Sequence, residues 1–282
     1  MAIDGFVNEG PWFDPSLPCK NFNHHEGVSR LDTRATCGQV LLSLRQGFFR
    51  RFRTSAGPMA HVWANDCDED VCMSWFLLKN HALTQQALNP ALNRLVHMVD
   101  MLDTTAGAFP FPEDLPALRG LAWVMEPYRN FRMRGGLNVR DSNHFRSIVT
   151  DVENRIHMHL AGTGRELDLD TRYVTTHIGT GWHMVNEIGP QARVGMFAEG
   201  IRSFVTCTPR EDGRWNYVVG RMSDYIDFPV VDILAAMDQE EGLTGAANHW
   251  GGGDTIGGSP RVGGSGLPPK DVIRIVERVV AR

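Results

Sequence analysis

The sequence predicts an α/β chain with a parallel-sheet domain at residues 1–125, a helical connector at 126–184 and a smaller α+β domain at 185–282. Three observations lead to this prediction. An apolar run at 59–64 passes into an acidic loop and then a helical pattern, as in α/β sheets. Residues 118–160 have helical periodicity. From residue 171 onward the apolar spacing becomes shorter, as in strands.

Within the first domain, short strands are expected to alternate with helices. A strand is predicted at 2–3 and another at 59–64. Apolar residues at helical spacing predict helices over 34–44, 71–78 and 89–102. Prolines then break the chain, and the pattern of 118–160 is interrupted by adjacent glycines. These residues are Pro110, Pro112, Pro116, Gly135 and Gly136.

The second domain is predicted to combine strands with two terminal helices. The strands are expected at 194–197, 203–208 and 215–219, with a turn at 211–213 between the last two. The helices are expected at 232–237 and 270–280, on either side of a glycine-rich segment, 251–258.

Composition restricts the class of protein. The chain has 282 residues, of which 42% are hydrophobic and 22% charged, so it can build a true core. Its net charge of −5 excludes the basic excess that non-specific duplex binding requires. No apolar run reaches the roughly 18 residues of a membrane-spanning helix, and residues 1–10 lack a signal-peptide pattern. A soluble cytoplasmic protein without membrane association is therefore expected.

Five cysteines form an odd set without a CxxC pair, which argues against a disulfide framework and a structural zinc site. We expect all five to be reduced.

The acidic loop contains the first candidate site. Asp66, Asp68 and Asp70 occupy alternate positions, so in an extended segment their carboxylates would share one face and repel one another. A hard divalent cation would neutralise them. The alternative is a solvated loop in which Asp70 caps the following helix.

Two further segments carry candidate groups. His24 and His25 precede the first helix, although adjacent histidines alone are more often surface or hydrogen-bonded groups. The glycines at 251–258 can present successive N–H groups to an anion, or form a flexible turn before the last helix.

Arg221 and Arg261 are candidate phosphate contacts. Trp250 is expected to pack under the final helix rather than to stack on a base.

Taken together, these segments resemble the DHH phosphoesterases, metal-dependent enzymes that hydrolyse pyrophosphate, single-stranded nucleic acid, short oligonucleotides or nucleoside bisphosphates. Residues 68–74 are similar to the first motif of the family, 23–25 to the motif that names it, and 103–104 to the fourth motif. Asp4 lies nineteen positions before Asn23, near the place of the second-motif aspartate. The resemblance implies the α/β architecture given above, with a DHH-like domain first.

The second domain is similar to the DHH-associated domain through residues 219–221, 229–232 and 251–253. The chain also departs from the family pattern. Asn23 replaces an aspartate, Ala64 a histidine, and Asp254 a histidine. The segment like the first motif follows the His–His segment, as though the domain were permuted.

The resemblance implies two divalent ions, manganese or magnesium, and a water activated between them. The implied metal ligands are Asp4, His24, Asp68, Asp70 and Asp103. His25 and Asp68 are the implied catalytic residues. The implied substrate contacts are Arg221, Gly251, Gly252, Gly253 and Arg261.

The expected activity is hydrolysis of a small phosphorylated substrate such as a short oligonucleotide or a nucleoside bisphosphate. Short single-stranded nucleic acid is a compatible substrate and a homodimer a compatible assembly. The alternative is a catalytically retired member that binds a nucleotide or a protein partner, which the departures at Asn23, Ala64 and Asp254 would explain.

Overall fold

The computed structural model describes residues 1–85, 89–139 and 141–281, and over these ranges the chain is a mixed α/β protein with nine α-helices and three sheets. The predicted α/β class is confirmed at this level. The chain divides into two compact units: Met1–Thr104 with Asp114–Asp168, and Thr105–Glu113 with Leu169–Arg282. No helix within the described ranges is long and apolar enough to cross a membrane.

The first unit is mainly helical. Its strands are β1 Ala2–Ile3, β2 Trp12–Asp14, β3 Cys19–Phe22, β4 Arg53–Thr54 and β5 Gly57–Pro58. Its helices are α1 Thr36–Arg45, α2 Glu69–Lys79, α3 His81–Gln85, α4 Pro90–Thr104, α5 Pro116–Met133 and α6 Ser142–Leu160. Helices α1, α2 and α4 pack against one another. The predicted helices 34–44, 71–78 and 89–102 are confirmed, and 118–160 forms α5 and α6 with the predicted interruption.

Among the described residues of the first unit, the only two named strands that pair in parallel belong to a small sheet of order β1-β3-β2. β1 pairs in parallel with β3, and β2 pairs antiparallel with it. The strand predicted at 59–64 is wrong, because only Trp63 pairs, through an isolated parallel bridge to Ala2. The reason is that β1 ends after two residues: Asp4 and Gly5 both have positive φ, 50° and 71°, and turn the chain away.

The second unit contains a six-stranded sheet of order β10-β11-β9-β8-β7-β6. Its strands are β6 Tyr173–Gly179, β7 Trp182–Glu187, β8 Ser203–Pro209, β9 Trp215–Arg221, β10 Gly251–Gly252 and β11 Ile256–Gly258. Its helices are α7 Ala192–Ala198, α8 Val230–Glu241 and α9 Pro269–Val280. Buried side chains of α8 and α9 pack against Trp182, Val205 and Val219 of the sheet.

Most elements predicted for this part of the chain are confirmed, namely the strands at 203–208 and 215–219 and the helices at 232–237 and 270–280. The strand predicted at 194–197 is wrong, since this segment is α7. β7 and β8 pair in parallel, and parallel strands need a crossover, which α7 supplies. Of the segment predicted as a connector, residues 126–168 belong to the first unit and 169–184 to the second.

Candidate metal centre

Five side chains that are distant in sequence converge in the first unit. Their ligand atoms form two groups, Asp4 with His24 and His25, and His24 with Asp70 and Asp103, and within each group these atoms all lie within 4.8 Å of one another. The pairing of β1 with β3 explains why Asp4 lies close to the two histidines. Ile3 of β1 is in register with Phe22 of the parallel strand β3, so Asp4 and the two histidines leave the same edge of the sheet.

His24 is the residue that the two groups share. Its Nε2 lies 2.9 Å from Asp103 Oδ2, 3.4 Å from Asp4 Oδ1 and 3.8 Å from Asp70 Oδ2. The imidazole is fully buried, and neither ring nitrogen has a partner in hydrogen-bonding geometry among the described residues.

The distances from His24 Nε2 to Asp103 and Asp4 fit a divalent ion, whereas the distance to Asp70 is longer. Metal–donor bonds of about 2.1 Å place neighbouring donors about 3.0 to 3.4 Å apart. A buried imidazole that approaches three carboxylates without forming hydrogen bonds is the arrangement expected when these atoms ligate the same ions. The mixed nitrogen and oxygen donors suit manganese better than calcium.

Asp70 links the cluster to the start of α1. Its Oδ2 accepts the backbone N–H of Thr36 and its Oδ1 that of Cys37, both at 2.7 Å. These amides belong to the first turn of α1, whose N-cap residue offers no side-chain acceptor, and a carboxylate at a helix N-terminus is favoured electrostatically. The second carboxylate at this helix start, Asp100, accepts the N–H of Ala35 at 2.7 Å.

Arg30 connects two members of the cluster. Its Nη1 lies 3.0 Å from His25 Nδ1, and its Nη2 donates to the backbone oxygen of Asp103 at 2.9 Å. Because a guanidinium has only donors, His25 Nδ1 accepts, and a neutral His25 donates through Nε2 to Asp4 Oδ1 at 2.7 Å. The sequence reasoning missed Arg30, because a single arginine in a loop has no distinguishing spacing.

The cluster concentrates negative charge. Burial and repulsion by Asp103 and Asp4 raise the pKa of Asp70 to about 7. Burial by itself would lower the pKa of His24, but Asp103 and Asp4 raise it to about 10. Burial would raise the pKa of Asp4, yet its contacts with His24 and His25 hold it well below the usual range. A bound cation would relieve the repulsion among these carboxylates.

Asp68 has a position different from the one predicted. It is the N-cap of α2, where its Oδ1 accepts the N–H of Val71 at 2.8 Å. The expectation that Asp66, Asp68 and Asp70 share one face of an extended segment is wrong, because α2 begins at residue 69 and Asp70 lies in its first turn. Asp68 belongs to neither ligand group. Burial and the charges of Asp4 and Asp66 still raise its pKa well above the usual value.

Asn23 stabilises the loop that leads to the cluster. Its amide nitrogen donates to the backbone oxygens of Glu9 at 2.7 Å and Val7 at 3.3 Å. Its amide oxygen accepts the N–H of His25 at 3.0 Å. An aspartate could not donate to either oxygen. Ala64, the other departure in this unit, is exposed.

The glycine-rich segment of the second unit is a β-hairpin. Gly251 pairs with Gly258 and Gly252 with Gly257. Gly252 has φ of 152°, and a Cβ there would overlap Gly257. Gly253 donates its N–H to Ile256 within the hairpin.

The other three residues singled out in the second unit lie in different environments: one is hydrogen-bonded, one is exposed and one is buried. The Arg221 guanidinium donates to Asp224 Oδ1 at 2.9 Å and to the backbone oxygens of Asp254 and Ile226, each at 3.0 Å. Arg261 is exposed. Trp250 is buried in the core beside residues of α9, as predicted, and its Nε1 donates to Glu241 at 2.6 Å.

Comparison with known proteins identifies no relative: no family model, curated protein or solved structure matches this chain.

Proposed function

We propose that this chain is a divalent-metal-dependent phosphoesterase of the DHH type, which hydrolyses a small phosphorylated substrate. The observation that supports the proposal is the convergence of Asp4, His24, His25, Asp70 and Asp103 around a buried imidazole. In this proposal the first unit is the DHH-like domain, and the second is the DHH-associated domain.

Two divalent ions, manganese or magnesium, would be held by Asp4, His24, Asp70 and Asp103, and the single lone pair of His24 Nε2 would serve one of them. When bound, such ions lower the pKa of a bridging water and polarise the phosphoryl oxygen. Asp70 would ligate one ion while α1 fixes the orientation of its carboxylate. Hydrogen bonds behind a ligand raise metal affinity because they reduce the orientations that binding must restrict.

His25 and Asp103 are the members that a substrate can reach. Their side chains are 33% and 24% exposed, whereas Asp4, His24 and Asp70 are buried. We assign His25 to the substrate: once Asp4 ligates an ion, the Nε2–H of His25 that now donates to Asp4 would be released to stabilise charge on the phosphoryl group or leaving group. Arg30 acts as a positioning residue, since it orients His25 through Nδ1. Asp68 is the second catalytic residue of the proposal. It lies at the N-cap of α2, where the charge of Asp4 acts on its carboxylate.

Within the second unit, Arg221, Arg261 and Gly251–Gly253 are the residues that we propose for phosphate binding. The Arg221 guanidinium donates to Asp254 and Asp224 within its own unit. Arg221 would therefore also stabilise the loop near Asp254. The net charge of −5 favours a small substrate over long nucleic acid.

The test is turnover with added Mn²⁺. Purified protein is assayed for release of phosphate or mononucleotide from pyrophosphate, nucleoside bisphosphates and short oligonucleotides, and bound manganese is counted. We expect two ions per chain and hydrolysis of at least one substrate. Asp70→Asn should lose activity by orders of magnitude, whereas Asp32→Asn, at an exposed site, should retain it. No hydrolysis together with no bound manganese would refute the proposal.

A non-catalytic nucleotide-binding or protein-binding role is the second candidate. Asn23 donates to backbone oxygens and Ala64 is exposed, so two positions of the family pattern supply no ligand here. This role predicts binding that survives chelation and is little affected by Asp68→Asn. The enzyme instead predicts a large loss of turnover in the same variant.

A further inference from the structure

Two exposed aromatic residues lie on backbone segments that adjoin the candidate metal centre. Phe6 and Trp63 are 43% and 57% exposed, and their ring centroids are 5.9 Å apart with an interplanar angle of 33°. Single exposed aromatic residues are ordinary on a protein surface. This pair differs because Phe6 is on the same turn as Asp4 of the cluster, and Trp63 pairs with the strand that leads into that turn.

Phe6 is on the same turn as Asp4. The N–H of Phe6 donates to the oxygen of Ile3 at 3.2 Å, which closes a turn whose central residues, Asp4 and Gly5, have positive φ. Ends of such a turn lie within about 7 Å of each other. The backbone of Phe6 is therefore held close to the residue that would ligate an ion.

Trp63 is fixed to the other side of the same strand. Its N–H donates to Met1 at 2.9 Å, and its oxygen accepts the N–H of Ile3 at 3.0 Å. Asn65 then donates to the oxygen of Gly5 at 3.3 Å. The backbone of Trp63 and the turn thus form one hydrogen-bonded assembly, and the indole extends from it against the ring of Phe6.

His25, on the solvent-exposed side of the cluster, packs against the turn that carries Asp4 and Phe6. A Cβ on Gly5 would lie 3.3 Å from His25 Cδ2, so the imidazole packs on the turn between Asp4 and Phe6. His25 is also the most exposed member of the cluster. A substrate phosphoryl group that reaches His25 would have aromatic surface beside it.

We infer that Phe6 and Trp63 form a stacking surface for a nucleobase, so that the substrate class is a nucleoside phosphate rather than a base-free phosphate. This inference rests on the proposed function, because the cluster supplies the phosphate site. In a nucleotide one sugar separates base from phosphate, so a base-binding surface must adjoin the phosphate site. Aromatic rings bind bases through stacking with little sequence preference.

The experiment compares two probes on the full chain saturated with Mn²⁺. Calorimetry measures the dissociation constants of adenosine 5′-monophosphate and ribose 5-phosphate. We expect the nucleotide to bind about 5- to 150-fold more tightly than the sugar phosphate. Phe6→Ala and Trp63→Ala should each reduce this ratio and leave the affinity for ribose 5-phosphate unchanged. Trp63→Phe, which keeps a ring, should retain most of the ratio.

Trp12→Ala is the matched control. Trp12 is 38% exposed on β2 of the same small sheet and is not part of the pair, so its removal should leave the ratio intact. A wild-type ratio near one, failure to bind either probe, or an unchanged ratio in both alanine variants would overturn the inference. So would an equal loss in Trp12→Ala.

Turnover separates this inference from the proposed function. A protein that prefers the nucleotide through Phe6 and Trp63 but hydrolyses no substrate would refute the enzyme and retain the stacking surface. A protein that hydrolyses pyrophosphate or oligonucleotides, with no effect of the two alanine variants on base preference, would retain the enzyme and refute the stacking surface.

Discussion

Replacing Asp70 by asparagine separates metal binding from folding, because a second buried aspartate at the same helix provides a matched comparison. The two carboxylate oxygens of Asp70 each accept one backbone N–H of α1, from Thr36 and Cys37. Asparagine retains one oxygen and presents an NH₂ group to the other amide. One buried donor therefore loses its acceptor, which costs about 1 to 3 kcal/mol.

Asp100 is the comparison. It is equally buried and accepts the N–H of Ala35, while its other oxygen lies 2.8 Å from Arg34 Nη1. In Asp100→Asn the remaining oxygen can keep the amide, and the half-exposed Arg34 can turn to water. We expect a smaller loss of about 1 kcal/mol. Asp100 belongs to neither ligand group, so its substitution should leave metal binding intact.

The assay is thermal unfolding of chelator-treated protein with and without Mn²⁺. At a manganese concentration 100 times the dissociation constant, binding adds about 2.7 kcal/mol, which corresponds to a rise of about 5 to 11 °C in Tm for a unit of this size. Wild type and Asp100→Asn should show this rise. Asp70→Asn should show almost none.

Two results would refute the reasoning. A full manganese-dependent rise in Asp70→Asn would mean that this carboxylate does not ligate the ion. Loss of the rise in Asp100→Asn would mean that the start of α1, rather than one ligand, determines metal binding.

Three other predictions concern the surroundings of the cluster and the stability of the first unit. Gly5→Ala and Gly162→Ala both place a side chain at φ near 70°, so each should lower the free energy of unfolding by about 1 kcal/mol. Only Gly5→Ala should weaken manganese binding, since open space surrounds Gly162; equal manganese affinities measured by calorimetry would contradict this. Asn23→Asp, which restores the family triplet, should destabilise the protein by about 1 to 3 kcal/mol in urea unfolding, because the Val7 oxygen loses this donor and the Glu9 oxygen keeps only that of Asn21; a more stable, tighter-binding variant would disprove the argument. Burial would raise the pKa of Glu153, but hydrogen bonds led by that from Lys79 lower it below its usual 4.5. Its stabilisation is therefore complete above that pH and lost as the pH falls through the lower folded-state pKa. The stability difference between wild type and Glu153→Gln should be largest near neutral pH and decrease in acid, and a difference that grows in acid would reverse the assigned sign.

Much of the helical structure could be predicted from the sequence. The helices α1, α2, α4 and α9 have apolar residues at clear helical spacing, and they form where expected. The segment 194–197 was ambiguous, because a short apolar run fits a buried strand and a buried helix equally well. The parallel sheet was overestimated, since the positive φ of Asp4 that ends β1 is not visible in the sequence.

The sequence predicted which residues lie in the candidate site better than it predicted how they are arranged. Asp4, His24, Asp70 and Asp103 were expected as ligands from the family resemblance, and the structure brings them together. The acidic run at 66–70 fits an extended segment as well as a helix start, so the role of Asp68 as a helix cap was not expected. The DHH assignment itself stays a prediction.

The capping of α1 by Asp70 makes the helix a reporter of the site. The amides of Thr36 and Cys37 depend on a carboxylate 34 and 33 positions away in sequence, so local opening at the start of α1 must also release that carboxylate. Hydrogen–deuterium exchange at these two amides would therefore slow when Asp70 is held by an ion. Site occupancy could then be followed residue by residue, without a substrate and without knowledge of the reaction.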